Sequence, residues 1–134
     1  LLEKKLEQLS TLLEELKNWL SLPFEVFLAD SKTIRASERN FELIVEIASD
    51  INAQLILKQG GGTPDTYRAS FDAIQKLKFI SFELCEKLID AAKMRNILVH
   101  EYDFEEDYKK FYRAAKRSIP AFQSYLRAVH DALV

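Results

Sequence analysis

The chain has 134 residues, 48% of them hydrophobic and 30% charged, with a formal net charge of −2. That length suits one domain spanning 1–134, with enough apolar material for a buried core and both charge signs spread as in a soluble helical protein. The near-neutral balance excludes a general nucleic-acid coat, which would be strongly basic, but leaves room for a local basic patch.

No apolar run approaches the roughly 18–20 residues of a membrane span, so no membrane association is expected and the cytoplasm is the expected location. No signal peptide is evident, and a start at Leu1 rather than Met leaves room for a missing short leader. A single cysteine, Cys85, rules out an intrachain disulfide and suits a reducing compartment. Its spacing with Phe82, Ile89 and Ala92 reads as an inert core thiol. Only 3 Gly and 3 Pro imply few turns and long elements.

Leu2, Leu6, Leu9, Leu13, Leu16 and Leu20 recur at three- and four-residue steps, with Glu3, Lys4, Glu7, Glu14 and Lys17 opposite. The pattern predicts an amphipathic first helix that Ser21-Leu22-Pro23 ends. Residues 24–29 are short and apolar, either a turn of helix or a packed loop. Asp30-Ser31 offers an N-cap. From there Ile34, Ser37, Phe41, Ile44, Ala48, Ile51 and Leu55 keep a 3-4 rhythm that predicts a long second helix. Leu43 and Ile47 widen its apolar face and make it central.

Gly60-Gly61-Gly62 is a loop. It lacks the Gly-Lys-Ser/Thr ending of a phosphate-binding loop, and no strand precedes it. Thr63 and Pro64 are predicted to open a third, shorter helix bearing Phe71, Ile74 and Leu77. Ser81 caps a fourth, running through Phe82, Cys85, Leu88, Ile89, Ala92 and Asn96 to about His100. Asp103 caps a fifth, with Glu105, Glu106 and Asp107 favoured in its first turn by the helix dipole. Phe111, Ala115, Phe122, Leu126 and Val129 carry it to the C-terminus. Pro120 should kink or break it, because proline lacks an N–H and crowds the preceding turn. No strand pattern competes. The expected fold is all-α, an up-and-down bundle of about five helices.

The most informative stretch is Arg95-Asn96-Ile97-Leu98-Val99-His100-Glu101-Tyr102. It places a fixed cation, an amide, a titratable imidazole and a phenol within two turns of a helix end. At about 100° per residue, Arg95 and Tyr102 nearly eclipse, whereas Arg95 and His100 differ by roughly 140°. One copy of an ideal helix does not aim both at a single small point. Either the last turn distorts or a second copy of the chain completes the site. As a plain helix C-terminus, Arg95 and His100 would settle terminal carbonyls. As a site, they offer an imidazole that can take or give a proton near neutral pH, with a fixed cation beside it.

Arg95-Asn96-x-x-x-His100-x-Tyr102 at a helix end in a small all-α domain resembles the HEPN superfamily, and within it the HepT-like toxins of prokaryotic toxin–antitoxin pairs. Ser37-Glu38-Arg39-Asn40-Phe41 with Ile47-Ala48-Ser49-Asp50-Ile51 is similar to the family's second helix, and Pro64-x-x-Tyr67-x-x-x-Phe71 to its next segment. The likeness covers residue 30 to the C-terminus, while the first helix matches in pattern only. The resemblance implies a homodimer that joins two motifs across a cleft and acts as a metal-independent endoribonuclease of a type VII-like system. It implies a minimal nucleotidyltransferase antitoxin as partner, able to adenylylate the motif tyrosine and silence the toxin. Carried over, Arg95 and His100 are catalytic, Asn96 supportive and Tyr102 the modification site. The RNA cleavage so implied takes a proton from the 2′-hydroxyl and gives one to the leaving 5′-oxygen, and an imidazole with an ordinary pKa near 6.5 can do either. A guanidinium can meet the charge building on the phosphoryl oxygens, and Asn96 can orient the phosphate or a ribose hydroxyl.

Two features bear on partners. Lys109, Arg113, Lys116 and Arg117 form a basic stripe, either a solvated face or a track for an RNA backbone or an acidic partner. His100 and His130 are the only histidines, and no His/Cys cluster exists, so no metal or other cofactor is expected. His130 is expected at the surface. The rival readings are a non-catalytic HEPN module that docks to and regulates a nucleotidyltransferase, and a plain structural bundle.

Overall fold

The structure is a computed structural model. It describes residues 1–100 and 104–134, and the side chains among them except those of 99, 100 and 104–107. Among these residues lie six helices: α1 (Leu2–Leu20), α2 (Phe24–Ala29), α3 (Ser31–Lys58), α4 (Tyr67–Lys76), α5 (Phe82–His100) and α6 (Phe104–Leu133). Helix α3 touches all five others and is the central element its wide apolar face predicts. Its 28 residues span about 42 Å at the usual helical rise.

Side-chain pairs fix the directions of the long helices. Lys5 meets Asp50 and Asn40 reaches the Leu12 carbonyl, so α1 runs antiparallel to α3. Phe111 packs on Phe41 while Tyr125 bonds Ala48 and Asn52, so α6 runs with α3. Leu9, Leu13, Leu16 and Leu20 of α1, Ile44, Ala48 and Ile51 of α3, and Phe111, Phe122 and Val129 of α6 are buried together. Burying each large apolar side chain is worth about 1.5–3 kcal/mol.

Of the two alternatives for residues 24–29, the helix holds. It begins after Pro23, and Phe27 is buried against Phe111 and Tyr112. With it the helices number six rather than about five. Asp30 caps α3 as expected, its carboxylate accepting from the Lys32 amide, and Ser81 Oγ accepts from the Leu84 amide at the head of α5.

One expectation needs correction and another is narrowed. Helix α4 starts at Tyr67, not at Thr63-Pro64, because Thr66 supplies the better cap: its hydroxyl accepts from the Ala69 amide. Of the kink or break expected at Pro120, the break does not occur: α6 continues through it to Leu133. The missing amide leaves one carbonyl a turn back without its helical bond. The apolar face on both sides of it, from Phe111 to Val129, stays buried and holds the helix in place. The proposed cap Asp103 lies outside the described residues.

The triple glycine ends α3. Gly60 has φ +83°, its amide donates to Leu57 O, and the Gly61 amide donates to Ile56 O. These are the two bonds of a Schellman cap. A Cβ on Gly61 would lie 2.7 Å from Ile56 Cγ2, so this position also rejects a side chain. The glycines therefore serve the turn and not a phosphate. Helix α4 ends the same way, with the Lys78 amide donating to Gln75 O and the Phe79 amide to Ile74 O. There a lysine occupies the left-handed position, at φ 69°.

Candidate functional site

Arg95 sits on the flank of α5 that faces α3 and α4. Its Nη2 donates to Glu46 Oε1 at 3.0 Å, its Nη1 lies 3.5 Å from Asn96 Oδ1, and its guanidinium carbon stands 4.9 Å over the Tyr67 ring. Nε is buried and has no hydrogen-bond partner among the described residues. The Arg95 side chain is 16% exposed and that of Glu46 33%, so the guanidinium lies in a shallow corner and not in the interior. Its bonds run to side chains, which is not what a residue placed to settle helix-end carbonyls would do. Asn96, next in sequence, is exposed.

Glu46 and Tyr67 were not named as site residues from sequence. A signal existed for each. Glu46 is a carboxylate inside the apolar run Leu43-Ile44-Val45 and Ile47-Ala48, where a charge is tolerated only with a partner. Tyr67 opens α4, where its ring can face a neighbouring helix. Burial raises the Tyr67 phenol above its ordinary value, Arg95 opposing this while Glu46, Asp50 and Glu42 add to it.

A buried polar network anchors the backbone under Tyr67. Ser70 Oγ donates to Tyr67 O at 2.8 Å and accepts from Asn52 Nδ2 at 3.1 Å and Ser49 Oγ at 3.3 Å. Asn52 Oδ1 in turn accepts from Tyr125 Oη at 2.6 Å. The Ser70 hydroxyl uses its donor and both acceptor lone pairs, and each end of the Asn52 amide has a partner. It ties α3, α4 and α6 together one turn from the guanidinium.

The side chain of His100, and Tyr102 altogether, lie outside the described residues. Lys109, Arg113, Lys116 and Arg117 are all exposed on α6. They divide by contact. Lys116 leans over the Tyr112 ring at 5.2 Å, and Tyr112 bonds the Leu22 carbonyl. Arg117 lines an open groove of about 890 Å³ between α5 and α6, whose walls include Leu84, Ala91, Met94, Ile97, Ala114 and Ala121. Neither Lys109 nor Arg113 has an ion pair among the described residues. His130 is exposed, as expected. Cys85 is buried and unpaired, and burial raises its thiol above the usual value. Among the described residues no three His, Cys, Asp or Glu side chains gather as a metal site would need, and no helix is long and apolar enough to cross a membrane.

Arg95 is paired with Glu46 near the middle of α3 and lies in an Arg-Asn-x-x-x-His-x-Tyr sequence within a helical domain, the arrangement expected of a HEPN-type protein. Comparison with known proteins makes this specific. The family model described as ribonuclease HepT-like matches residues 9–129, and the chain belongs to that family. It is 26% identical over 134 residues to the tRNA nuclease HepT of Aphanizomenon flos-aquae (strain 2012/KM1/D3), covering 100% of this chain and 90% of that one. Two solved structures share the fold at 18% identity. A toxin in a mutant MntA–HepT toxin–antitoxin complex superposes with a TM-score of 0.85, over 97% of both chains. The tri-AMPylated Shewanella oneidensis HEPN toxin in complex with its MNT antitoxin gives 0.86, over 97% of this chain and 96% of that one.

Proposed function

We propose that this chain is a metal-independent endoribonuclease toxin acting through Arg95 and His100 at a cleft between two copies, and silenced by adenylylation of Tyr102. The observation that carries the reading is the placement of Arg95. A guanidinium held at a solvent-facing corner by an ion pair and an aromatic ring is ready to meet a phosphodiester. In the reaction, the ribose 2′-oxygen loses its proton to an imidazole and forms a bond to phosphorus. The bond from phosphorus to the 5′-oxygen breaks, and that oxygen takes a proton. Arg95 meets the charge on the non-bridging oxygens. Asn96 orients the phosphate or a ribose hydroxyl. With one motif histidine per chain, two copies supply the base and the acid.

The homodimer is supported by the groove between α5 and α6. Met94 and Ile97 line it half-buried, one residue before and two after Arg95, and small residues on α6 form the far wall. A second copy seated there would bring two motif ends together and remove the 140° divergence within one helix. Lys109, Arg113, Lys116 and Arg117 offer the exposed positive face for an RNA backbone or an acidic partner surface. The substrate is RNA, with tRNA the first candidate on the strength of the Aphanizomenon relative's name. A minimal nucleotidyltransferase antitoxin is the partner, as in the complexes of similar fold. An AMP on Tyr102, within the same motif as Arg95, would add negative charge and repel a phosphate. The setting is cytoplasmic and the domain spans 1–134.

Cleavage of bulk tRNA and growth arrest on expression test this, with Arg95→Ala and His100→Ala as the variants. Both are expected to abolish the two effects, and unchanged cleavage in both would end the assignment. Incubation with the antitoxin and ATP should add AMP to the intact mass in the wild type and not in Tyr102→Phe. Solution scattering should give a dimer at micromolar concentration.

A further inference from the structure

We propose that Glu46 and Tyr67 are positioning residues for Arg95, forming a clamp that fixes the plane and edge of the guanidinium before substrate arrives. This deepens the reading above and rests on it. An arginine side chain is long and flexible, and an unrestrained guanidinium samples many orientations. Two constraints of different kind remove that freedom here. The Tyr67 ring covers one face at 4.9 Å, which fixes the plane. Glu46 Oε1 takes an Nη2 hydrogen at 3.0 Å, which fixes rotation within the plane. Burial of Nε turns that edge inward and leaves the outer Nη hydrogens for a phosphate. The clamp is itself braced, because Ser70 Oγ holds the Tyr67 carbonyl and is held by Asn52 of α3.

Glu46 carries a cost that marks its role. A carboxylate 3.0 Å from the guanidinium repels an approaching phosphodiester and weakens ground-state binding. What it contributes is orientation, which counts where the developing phosphoryl charge must be met at a fixed point. Glu46→Gln therefore separates the two effects. The amide is isosteric and removes the charge that repels substrate, while loosening the grip on Nη2. The expected result with bulk tRNA is a fall in kcat of tenfold or more, with KM unchanged or lower. General loosening of the fold would not lower KM. Tyr67→Leu should lose kcat to a similar degree, and Tyr67→Phe, which keeps the ring face, should restore it. Asp72→Asn, which removes only an exposed α4 pair with Lys76, serves as the neutral control.

A second readout needs no turnover. Nitrogen-15 NMR should show the buried Nε–H of Arg95 protected from solvent exchange in the wild type and exchanging rapidly in Glu46→Gln. If Tyr67→Leu fails to fold, as circular dichroism would reveal, Glu46→Gln decides alone. Glu46→Gln with kcat within twofold of wild type and an unchanged Nε–H exchange rate overturns the clamp. Persistence of cleavage in Arg95→Ala would instead overturn the catalytic reading, leaving the NMR result to judge the clamp by itself.

Discussion

Tyr125→Phe removes one oxygen atom from the centre of the bundle, and its effect can be worked from the contacts. The phenol has a single hydrogen. Asn52 Oδ1 at 2.6 Å takes it, with the Ala48 carbonyl second at 3.0 Å. Ala48 O lies within α3 and keeps its helical partner when the phenol goes. Asn52 is fully buried, so its Oδ1 is left with no donor and no water. Orphaning a buried acceptor costs roughly 1–3 kcal/mol. The ring loses nothing, because its edge contacts with Phe71 at 6.1 Å and Phe122 at 6.5 Å do not involve the hydroxyl. The expected loss is about 2 kcal/mol, or a Tm lower by roughly 6–8 °C for a chain of this size. Urea and thermal denaturation followed by far-ultraviolet circular dichroism measure it. Asn52→Ala should already have removed the acceptor, so the double variant should fall short of additivity by at least about 0.5 kcal/mol. A Tyr125→Phe protein within about 0.5 kcal/mol of wild type, or simple additivity, would refute the network as a structural tie.

Lys78→Gly should raise stability by about 1 kcal/mol, seen as a higher Tm, because a non-glycine residue at φ 69° carries a left-handed penalty that glycine escapes. Stability should fall in alkali. Cys85, Tyr67 and Tyr125 all have pKa values raised by burial from ordinary values of 9.0 and 10.0. Above about pH 9 for the thiol and 10 for the phenols, the unfolded chain sheds protons that the folded one retains. Each group then lowers stability by up to about 1.4 kcal/mol per pH unit until its folded-state pKa is passed. Tyr67, the least enclosed of the three, contributes least, and below these values the contribution is complete. A urea midpoint flat from pH 8 to 11 would contradict this. Lys109→Ala with Arg113→Ala should weaken RNA binding across sequences and lower the slope of log affinity against log salt by about 0.7 per lost phosphate contact. An unchanged slope would mean that these residues face solvent alone.

Most of the fold was legible because its signals are local. Leucine spacing in α1 and the 3-4 rhythm of α3 survive folding as buried stripes, and Asp30 and Ser81 cap the helices they precede. The start of α4 was misread because Pro64 advertises a first turn more loudly than Thr66 does. A threonine cap acts only once its hydroxyl reaches the Ala69 amide, and nothing in the sequence ranks the two. The break that Pro120 allows does not occur. The cost of one lost helical bond is local, but Phe122, Tyr125 and Val129 repay it through burial that the proline's neighbours do not reveal. At the candidate site, the motif singles out Arg95. Its companions Glu46 and Tyr67 were not legible, because they lie 49 and 28 residues earlier and meet it only through packing of α3, α4 and α5.

The Arg95–Glu46 pair makes little sense as a stabilising device. Removing two charges partly from water offsets much of their attraction, and a well-packed apolar pair of similar volume would serve the bundle as well or better. The buried Nε without a partner adds to the cost. Ser37 Oγ on α3 is likewise buried without a partner, whereas the Ser70–Asn52–Tyr125 network a turn away is bonded throughout. An expensive corner beside a well-made network is the expected signature of a group kept for what it does rather than for what it stabilises. The network then acquires a purpose of its own. Its bonds hold α4 against α3, so the helices that carry Tyr67 and Glu46 stay in register around a largely buried guanidinium.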